Sequence, residues 1–261
     1  MTKTLGIVGT GLIGASIGLR ARELGMFVLG HDVTDAVQEA KRRGAIDEVA
    51  GRDQLYESCN YIAIATPVRT ACSELRRLRD VAPTWDLLID VASVKRPIVE
   101  AASGLRNFVA THPLAGNEGS GPARASADLF RERTWAYSPS GDALLDRGFE
   151  TIARALGANP LPVIAERHDA IVAVTSHLPQ LLAFLLSSRI RESGEDARAL
   201  CGPAGLEILR LGDSSPDLWR EIFEANADLV VPSARALCES LTGACDALSP
   251  GRAPQRRAPQ N

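Results

Sequence analysis

Residues 4–14, TLGIVGTGLIG, carry the strongest structural signal in the chain. The β-branched run Thr4–Val8 predicts a strand, and glycines follow it at positions 9, 11 and 14 in the spacing G-x-G-x-x-G. In a dinucleotide-binding turn the first glycine permits the tight turn, the second lets the backbone approach a pyrophosphate, and the third allows close packing of helix on sheet. The predicted cofactor-binding residues of this loop are Gly9, Gly11, Leu12, Ile13 and Gly14.

Asp32 directly follows the second predicted strand, Phe27–His31. This is about the distance at which such folds place the acid that binds the adenosine ribose hydroxyls, and a turn or helix-cap aspartate is the alternative. The glycine motif upstream favours the ribose role. A carboxylate here repels a 2′-phosphate, and Val33 and Thr34 supply no arginine to hold one. The predicted cofactor is therefore NAD rather than NADP.

Short apolar runs alternate with amphipathic helical stretches from residue 3 to residue 158. The further strand candidates are residues 61–65, 87–91 and 108–111, with a last extended piece at 158–163. This alternation predicts an α/β fold with a Rossmann-type, doubly wound parallel sheet and helices on both faces. Thr66 and Pro67 follow residues 61–65 at the carboxyl edge of that sheet. We expect them to contact the cofactor, with an ordinary proline turn as the alternative.

The second half of the chain is predicted to be helical. Apolar residues recur at three-to-four spacing over residues 169–191, 193–211 and 216–241, and no strand is predicted between 165 and 248. We therefore expect an NAD-binding domain over residues 1–160, an all-α substrate and dimerisation domain over 161–248, and a disordered tail over 249–261. Because the helices are very apolar for so small a domain, we expect a homodimer that pairs them.

Composition excludes several classes of function. A formal net charge of −3 leaves no basic surplus for neutralising phosphates, so nucleic acid is not an expected partner. Five scattered cysteines without a C-x-x-C pair argue against disulfide and zinc frameworks, and no metal site is predicted. These cysteines, and a start without signal-peptide features, indicate the cytoplasm. Polar residues interrupt the most apolar stretch, 170–188, so we expect a buried helix and no membrane partner.

Three further segments combine polar side chains with special backbone positions. Residues 90–95, DVASVK, leave one predicted strand, and residues 111–121, THPLAGNEGSG, leave the next, so both open on the cofactor edge. Residues 176–180, SHLPQ, interrupt the apolar helix. The proline in SHLPQ removes a backbone hydrogen bond, and the resulting kink is expected to aim side chains at a pocket.

Together with the glycine turn, these segments resemble the prephenate/arogenate (cyclohexadienyl) dehydrogenase family. Its pattern includes G-x-G-L-I-G-x-S, D-x-x-S-x-K, H-P-M-A-G-x-E-x-S-G and S-H-L-P, and the match in order and spacing spans almost the whole chain. Leu114 replaces the usual methionine, a tolerated apolar exchange. A further family segment, G-F-R-D-x-T-R-I-A followed by P-x-x-W, keeps Arg210 and Trp219. Leu206 replaces the first arginine, which puts contacts to a second carboxylate or the subunit interface in doubt.

The resemblance implies NAD-dependent oxidative decarboxylation of prephenate or a close analogue, such as arogenate or amino-deoxyprephenate. The product would be a 4-hydroxyphenyl or 4-aminophenyl compound of tyrosine-type biosynthesis. His112 would accept the proton of the reacting hydroxyl, since an imidazole is largely neutral yet basic near pH 7. Ser93 would orient that hydroxyl or the nicotinamide. The alternatives are a strand-end histidine for His112 and a helix N-cap for Ser93.

The remaining candidate residues are also carried over from the family. His177, Arg210, Glu118 and Trp219 are predicted to bind the carboxylate substrate, with Arg210 making paired hydrogen bonds to a carboxylate. A hydrogen-bonded core histidine is the alternative for His177, and a surface ion pair for Arg210. Lys95 fits either a solvated lysine or one that tunes charge near the site.

Two other functions compete with this prediction. A β-hydroxyacid-type dehydrogenase shares the order of domains but usually places a catalytic lysine on the first interdomain helix, and residues 169–188 contain no lysine. A redox sensor that binds NAD without turnover would not need Ser93, His112, His177 and Arg210 together. Reduction of NAD in the presence of prephenate or arogenate would separate the dehydrogenase from both.

Overall fold

The structure, a computed structural model, describes residues 2–82, 84–116, 119 and 121–248. Within these ranges the strands are β1 (Thr4–Val8), β2 (Phe27–His31), β3 (Glu48–Val49), β4 (Tyr61–Ile64), β5 (Leu87–Asp90), β6 (Phe108–Pro113), β7 (Thr134–Ser138) and β8 (Asn159–Pro162). The α-helices are α1 (Leu12–Glu23), α2 (Ala36–Arg42), α3 (Arg52–Ser58), α4 (Val68–Leu78), α5 (Arg96–Ala101), α6 (Ala143–Ala155), α7 (Ala165–Val172), α8 (Leu178–Glu192), α9 (Pro203–Gly212), α10 (Pro216–Ala225) and α11 (Ala227–Leu248).

The eight described strands form one sheet in the order β3-β2-β1-β4-β5-β6-β7-β8. All neighbours are parallel except β6 and β7, which run antiparallel. The order of strands reverses between β1 and β4, and ligands of open α/β sheets bind in the crevice at such a switch point. The predicted fold class is confirmed, and the strands β3 and β7 are additions to it.

Alternating strand residues build a core on each face of the sheet. Ile62 and Ile64 of β4 pack into one apolar cluster together with Leu75 of α4, whereas Ala63 between them packs into the opposite cluster with Trp135. This alternation follows from the two-residue period of a strand. Both faces are covered, as a doubly wound sheet requires.

The helical half begins with one long apolar rod. Residues Ala165–Glu192 run through α7, a π-helical turn at Ala173–His177, and α8. The predicted kink therefore takes the form of a π-helical turn that ends two residues before Pro179, which cannot donate a backbone hydrogen bond. Helix α9 packs on α8, where Gly212 is required because a Cβ there would lie 2.1 Å from the Ser187 hydroxyl oxygen.

The expected burial of the apolar helix is not met among residues 2–248 that the structure describes. By length and composition this helix could cross a membrane, and only 33% of its most apolar window is buried. Ile171, Val174, Leu185 and Leu186 are exposed. The pattern of apolar residues predicted the helix correctly, but the described residues of the chain leave this face uncovered.

The helix predicted over residues 216–241 is wrong in its continuity. Helix α10 ends at Ala225 and α11 begins at Ala227, because the fully buried Asn226 between them turns its side chain inward. Its amide nitrogen donates to the backbone oxygen of Asp169 at 2.9 Å. An asparagine that bonds backbone in this way interrupts a helix despite an unbroken apolar period.

Candidate active site

The glycine turn after β1 has the shape of a phosphate cradle. Gly9 has a φ of +94°, and a Cβ there would lie 2.5 Å from the carbonyl oxygen of Ala65. A Cβ at Gly14 would lie 2.0 Å from the carbonyl oxygen of Gly9. The position of a Cβ at Gly11 meets nothing within 4 Å, so the backbone there faces open space at the start of α1. These residues fit a dinucleotide pyrophosphate.

Asp32 holds the same turn from the end of β2. One carboxylate oxygen accepts hydrogen bonds from the backbone N–H and the hydroxyl of Thr10, at 2.8 Å and 3.3 Å. The other accepts from the backbone N–H and hydroxyl of Thr34, at 3.0 Å and 2.7 Å. Partial burial alone would raise the pKa of Asp32, but these bonds keep the pKa below its ordinary value. An ionised acid therefore lies beside the glycine turn and also caps a turn.

Thr66 and Pro67 lie across the switch point from the glycine turn. The methyl carbon of Thr66 would lie 3.0 Å from a Cβ at Gly9, so this loop borders the cradle. The hydroxyl of Thr66 is buried and has no hydrogen-bond partner among the described residues. Pro67 occupies the N-cap of α4. Their predicted contact with a cofactor stays a prediction.

Asp90 and Lys95 form an ion pair inside the protein. The Nζ of Lys95 donates to Asp90 and to the backbone oxygen of Thr111, both at 2.5 Å, and the two charged side chains are at most 1% exposed. Burial raises the pKa of Asp90 and lowers that of Lys95, although each partner partly opposes the effect. Lys95 is therefore not a solvated lysine. It ties the end of β5 to the strand that carries His112.

His112 lies near the carboxyl end of β6 and is buried except for 9% of its surface. Its Nδ1 lies 2.9 Å from Nε2 of His168 on α7, and Nδ1 of His168 lies 2.8 Å from a carboxylate oxygen of Asp169. Burial, with smaller contributions from His168, Lys95 and His177, holds the pKa of His112 well below its usual range. The ring is therefore neutral near pH 7 and can accept a proton.

Ser93 is half-buried in the loop between β5 and α5. Helix α5 begins at Arg96 with Lys95 at its N-cap position, and the carboxylate of Asp169, not Ser93, accepts the backbone N–H groups of Lys95 and Arg96. The alternative role of Ser93 as a helix N-cap therefore does not apply. Its assignment to the reacting hydroxyl or the nicotinamide stays a prediction.

His177 and Trp219 lie next to each other in the helical domain. His177 is fully buried, its Nδ1 lies 3.2 Å from the side-chain nitrogen of Asn226, and its Nε2 has no partner among the described residues. Burial, opposed in part by Asp169, lowers its pKa to about 4. Trp219 of α10 lies edge-on to this ring at 6.1 Å between centroids. The arrangement has the features of a core histidine, and its role in substrate binding stays a prediction.

The two remaining candidates are Arg210 and Glu118. Arg210 on α9 makes an ion pair with Glu207, at 2.5 Å and 2.8 Å, and α9 packs mainly on α8. Glu118 lies outside the described residues.

Sequence reasoning missed the polar residues that support His112. His168, Asp169 and Asn226 are buried, and Arg96 donates to both Asp169 and Asn226. The one available signal was the adjacent pair His168–Asp169 at the start of an apolar helix, because buried charged residues are rare unless paired.

Comparison with known proteins identifies the family. A model of the prephenate dehydrogenase nucleotide-binding domain matches residues 16–156, and a model of the prephenate dehydrogenase dimerization domain matches residues 164–255. The chain belongs to the prephenate dehydrogenase family. The resemblance inferred from the sequence motifs is confirmed, and the helical half is the dimerization domain of this family.

Relatives and solved structures agree with this membership. The chain is 32% identical to the probable prephenate dehydrogenase NovF of Streptomyces niveus, over 94% of the chain and 69% of that protein. It superposes on prephenate dehydrogenase from A. aeolicus in complex with hydroxyphenyl propionate and NAD+, with a TM-score of 0.83, 25% identity, and coverage of 93% and 89% of the two chains. Synechocystis arogenate dehydrogenase gives 0.74 and 26% identity, with coverage of 92% and 90%.

Proposed function

We propose that this protein catalyses the NAD-dependent oxidative decarboxylation of prephenate or a close analogue, such as arogenate or amino-deoxyprephenate. The observation that carries the proposal is the neutral, partly accessible imidazole of His112 at the carboxyl edge of a sheet whose switch point holds an open glycine cradle. Membership of the prephenate dehydrogenase family supplies the substrate class. The protein is therefore a cytoplasmic enzyme in the biosynthesis of tyrosine or a related aromatic product.

His112 acts as the base of this reaction. Its Nδ1 is engaged by His168, so Nε2 is the atom that accepts the proton of the substrate hydroxyl. Bound NAD+ supplies the hydride acceptor for the ring carbon that carries this hydroxyl. Loss of the ring carboxylate as carbon dioxide returns the bond electrons to the ring, and the proton held by His112 goes back to the phenolate oxygen. The ring becomes aromatic without net uptake of protons.

The remaining predicted residues bind and orient. The turn of Gly9, Gly11 and Gly14 holds the pyrophosphate, and Asp32 binds the ribose. Ser93 orients the reacting hydroxyl or the nicotinamide. The substrate contacts are His177, Arg210, Glu118 and Trp219, with Arg210 exchanging its ion pair to Glu207 for the substrate carboxylate.

The proposed activity is tested by following NADH formation with the purified protein. Prephenate, arogenate and amino-deoxyprephenate are compared at equal concentration with NAD+, and a 3-hydroxy acid serves as the control substrate for a β-hydroxyacid dehydrogenase. We expect turnover with at least one of the three cyclohexadienes and none with the hydroxy acid. Turnover of the hydroxy acid alone would overturn the proposal.

Cofactor preference follows from Asp32 and its exposed neighbour. We expect the double variant Asp32→Ala, Val33→Arg to shift the ratio of kcat/KM from NAD toward NADP. The variant removes the carboxylate that repels the 2′-phosphate of NADP and adds an arginine that can bind this phosphate. Val33 is 93% exposed, so an arginine fits there. The single variant Val33→Arg keeps the bonds of Asp32 to Thr10 and Thr34 and serves as the control for loss of the turn. An unchanged cofactor ratio in the double variant would refute the ribose role.

The exposed apolar face of the long helix points to a second copy of the chain. We propose a homodimer that pairs through the C-terminal helices. We also place the boundary between the NAD-binding domain and the helical domain near residue 160. The exposed side chains Ile171, Val174, Leu185 and Leu186 lie on a helix of the dimerization domain, and closed twofold pairing is the usual solution for such a face.

Light scattering tests this assembly. The wild type is expected at twice the chain mass of 27.8 kDa, and Leu185→Glu at the monomer mass, because a carboxylate buried in an apolar interface loses its hydration. Leu144→Glu on α6 is the matched control, since Leu144 is 74% exposed in the other domain, and it is expected to stay dimeric. A monomeric wild type with full activity would contradict the proposal.

A further inference from the structure

The hydrogen bonds behind His112 fix the position of its proton. An ionised carboxylate only accepts hydrogen bonds, so Nδ1 of His168 carries a proton and donates it to Asp169 at 2.8 Å. In the neutral form of His168, Nε2 then has a lone pair and accepts from Nδ1–H of His112 at 2.9 Å. The other nitrogen of His112, Nε2, is left unprotonated. The chain of bonds therefore selects the tautomer that can act as a base.

Asp169 is held in the ionised state by donors from the other domain. Its first oxygen also accepts the backbone N–H of Lys95 at 2.7 Å, and its second accepts the backbone N–H of Arg96 at 2.9 Å and the Nε of Arg96 at 3.3 Å. Burial alone would raise the pKa of Asp169, but the bonds from His168 and these backbone groups outweigh it and lower the pKa. A permanent negative charge therefore lies behind His168.

We propose that His168 and Asp169 are positioning residues for His112, forming a relay of imidazole, imidazole and carboxylate. This inference rests on the proposed role of His112 as a base. The relay keeps Nε2 of His112 free before the reaction. When Nε2 takes the substrate proton, the imidazolium keeps Nδ1–H bonded to His168, and the charge of Asp169 stabilises it through that ring. The proton leaves again from Nε2, so the relay is unchanged after turnover.

The geometry favours this role over simple packing. His168 is 3% exposed and Asp169 is fully buried. Burying a polar cluster of this kind costs more free energy of folding than burying an apolar cluster of similar volume. The rings of His112 and His168 lie edge to face, 5.1 Å apart with an interplanar angle of 73°, which suits a hydrogen bond between them rather than stacking. In serine proteases, loss of the aspartate that sets a histidine tautomer lowers kcat by about 10⁴, which shows the scale of such an effect.

Two variants of His168 test the relay. His168→Phe removes the acceptor for His112, and we expect kcat to fall by ~10- to 100-fold while KM for NAD and substrate changes less than about threefold. His168→Gln can donate its amide N–H to Asp169 and offer its amide oxygen to His112, so it is expected to recover kcat to within about threefold of wild type. Equal losses in both variants, or a loss carried by KM, would overturn the relay.

Variants of two aspartates that both pair with Arg96 distinguish the relay from the ion pairs of Arg96. Arg96 also pairs with Asp228 at 2.7 Å, and that carboxylate is 63% exposed and makes no bond to His168. We expect Asp169→Asn to lower kcat by more than 10-fold and Asp228→Asn to leave it within about twofold. Similar losses in the two variants would show that only the ion pairs of Arg96 matter.

The tautomer is also measurable without any substrate. In ¹⁵N NMR of histidine-labelled protein, the signals of His112 are identified by their absence in His112→Asn. We expect protonated Nδ1 and unprotonated Nε2 in wild type and His168→Gln, and a mixture of tautomers in His168→Phe. Protonated Nε2 in the wild type would overturn the relay even if the enzyme is active. The expected tautomer in a protein without dehydrogenase activity would instead overturn the proposed function.

Discussion

Replacing His112 with asparagine is expected to lower kcat by ~10²–10⁴ while NAD binding stays unchanged. Asparagine can still hydrogen-bond the reacting hydroxyl, but it cannot accept its proton. The cofactor cradle after β1 shares no side chain with His112, so titration of NAD into the variant is expected to give the wild-type Kd. A near-normal kcat in the variant would mean that another group takes the proton.

The pH dependence of kcat/KM gives a second signature of His112. Only the neutral ring accepts a proton, and burial holds the pKa of this ring well below the ordinary histidine value of about 6.5. Activity is therefore expected to persist as the pH falls through 6.5 and to decline only at lower pH, where His112 becomes protonated. The residual activity of His112→Asn is expected to lack this decline. A decline of wild-type kcat/KM centred at or above pH 6.5 would contradict a lowered pKa of His112 in the free enzyme.

Replacing Lys95 with methionine is expected to lower the free energy of unfolding by ~3–5 kcal/mol, because it leaves Asp90 buried without its counter-charge. Urea denaturation measures the change. Lys3→Met is the matched control, since Lys3 pairs with Asp86 at 2.7 Å on the surface, and its effect on the free energy of unfolding is expected to be much smaller than that of Lys95→Met. Equal effects of the two variants would contradict the assignment of a buried pair.

The loss of unfolding free energy caused by Lys95→Met should also depend on pH. Without Lys95, burial raises the pKa of Asp90 in the folded state above its unfolded value, so the folded state binds a proton that the unfolded state lacks. In wild type the charge and hydrogen bond of Lys95 partly oppose this rise, so the folded variant keeps the Asp90 proton to a higher pH than folded wild type does. The variant therefore loses stability relative to wild type as the pH rises from the folded-state pKa of Asp90 in wild type to its higher folded-state pKa in the variant. A deficit that is constant over this range would mean that Asp90 stays ionised.

The sequence was sufficient for the parts of the fold that depend on local pattern. The glycine turn after β1 and the alternation of strand and helix predicted the Rossmann-type sheet, since each strand of a parallel sheet is a short apolar run. The two-residue strand β3 is too short to leave a pattern. The strand β7 was missed because it follows irregular chain and pairs antiparallel with β6, outside the strand-helix alternation.

The site was predictable where it lies at the ends of strands, and not where it depends on long-range contacts. The segments that carry His112 and Ser93 were singled out because the carboxyl edge of a parallel sheet collects ligand-binding loops, whereas the roles of the two residues came from the family resemblance and stay predictions. The partners of His112 come from α7, 56 residues further along the chain, and no local period brings them together. Lys95 remained open between two roles because burial of a lysine is decided by tertiary packing.

The ratio of carbon dioxide released to NADH formed distinguishes oxidative decarboxylation from every simple alcohol oxidation. It is measured with substrate labelled at the ring carboxylate, in a single reaction followed at the absorbance of NADH. We expect one carbon dioxide for each NADH, with both products lost together in His112→Asn. NADH formed while the label stays in the organic product would contradict the mechanism, as would label released in the absence of NAD+.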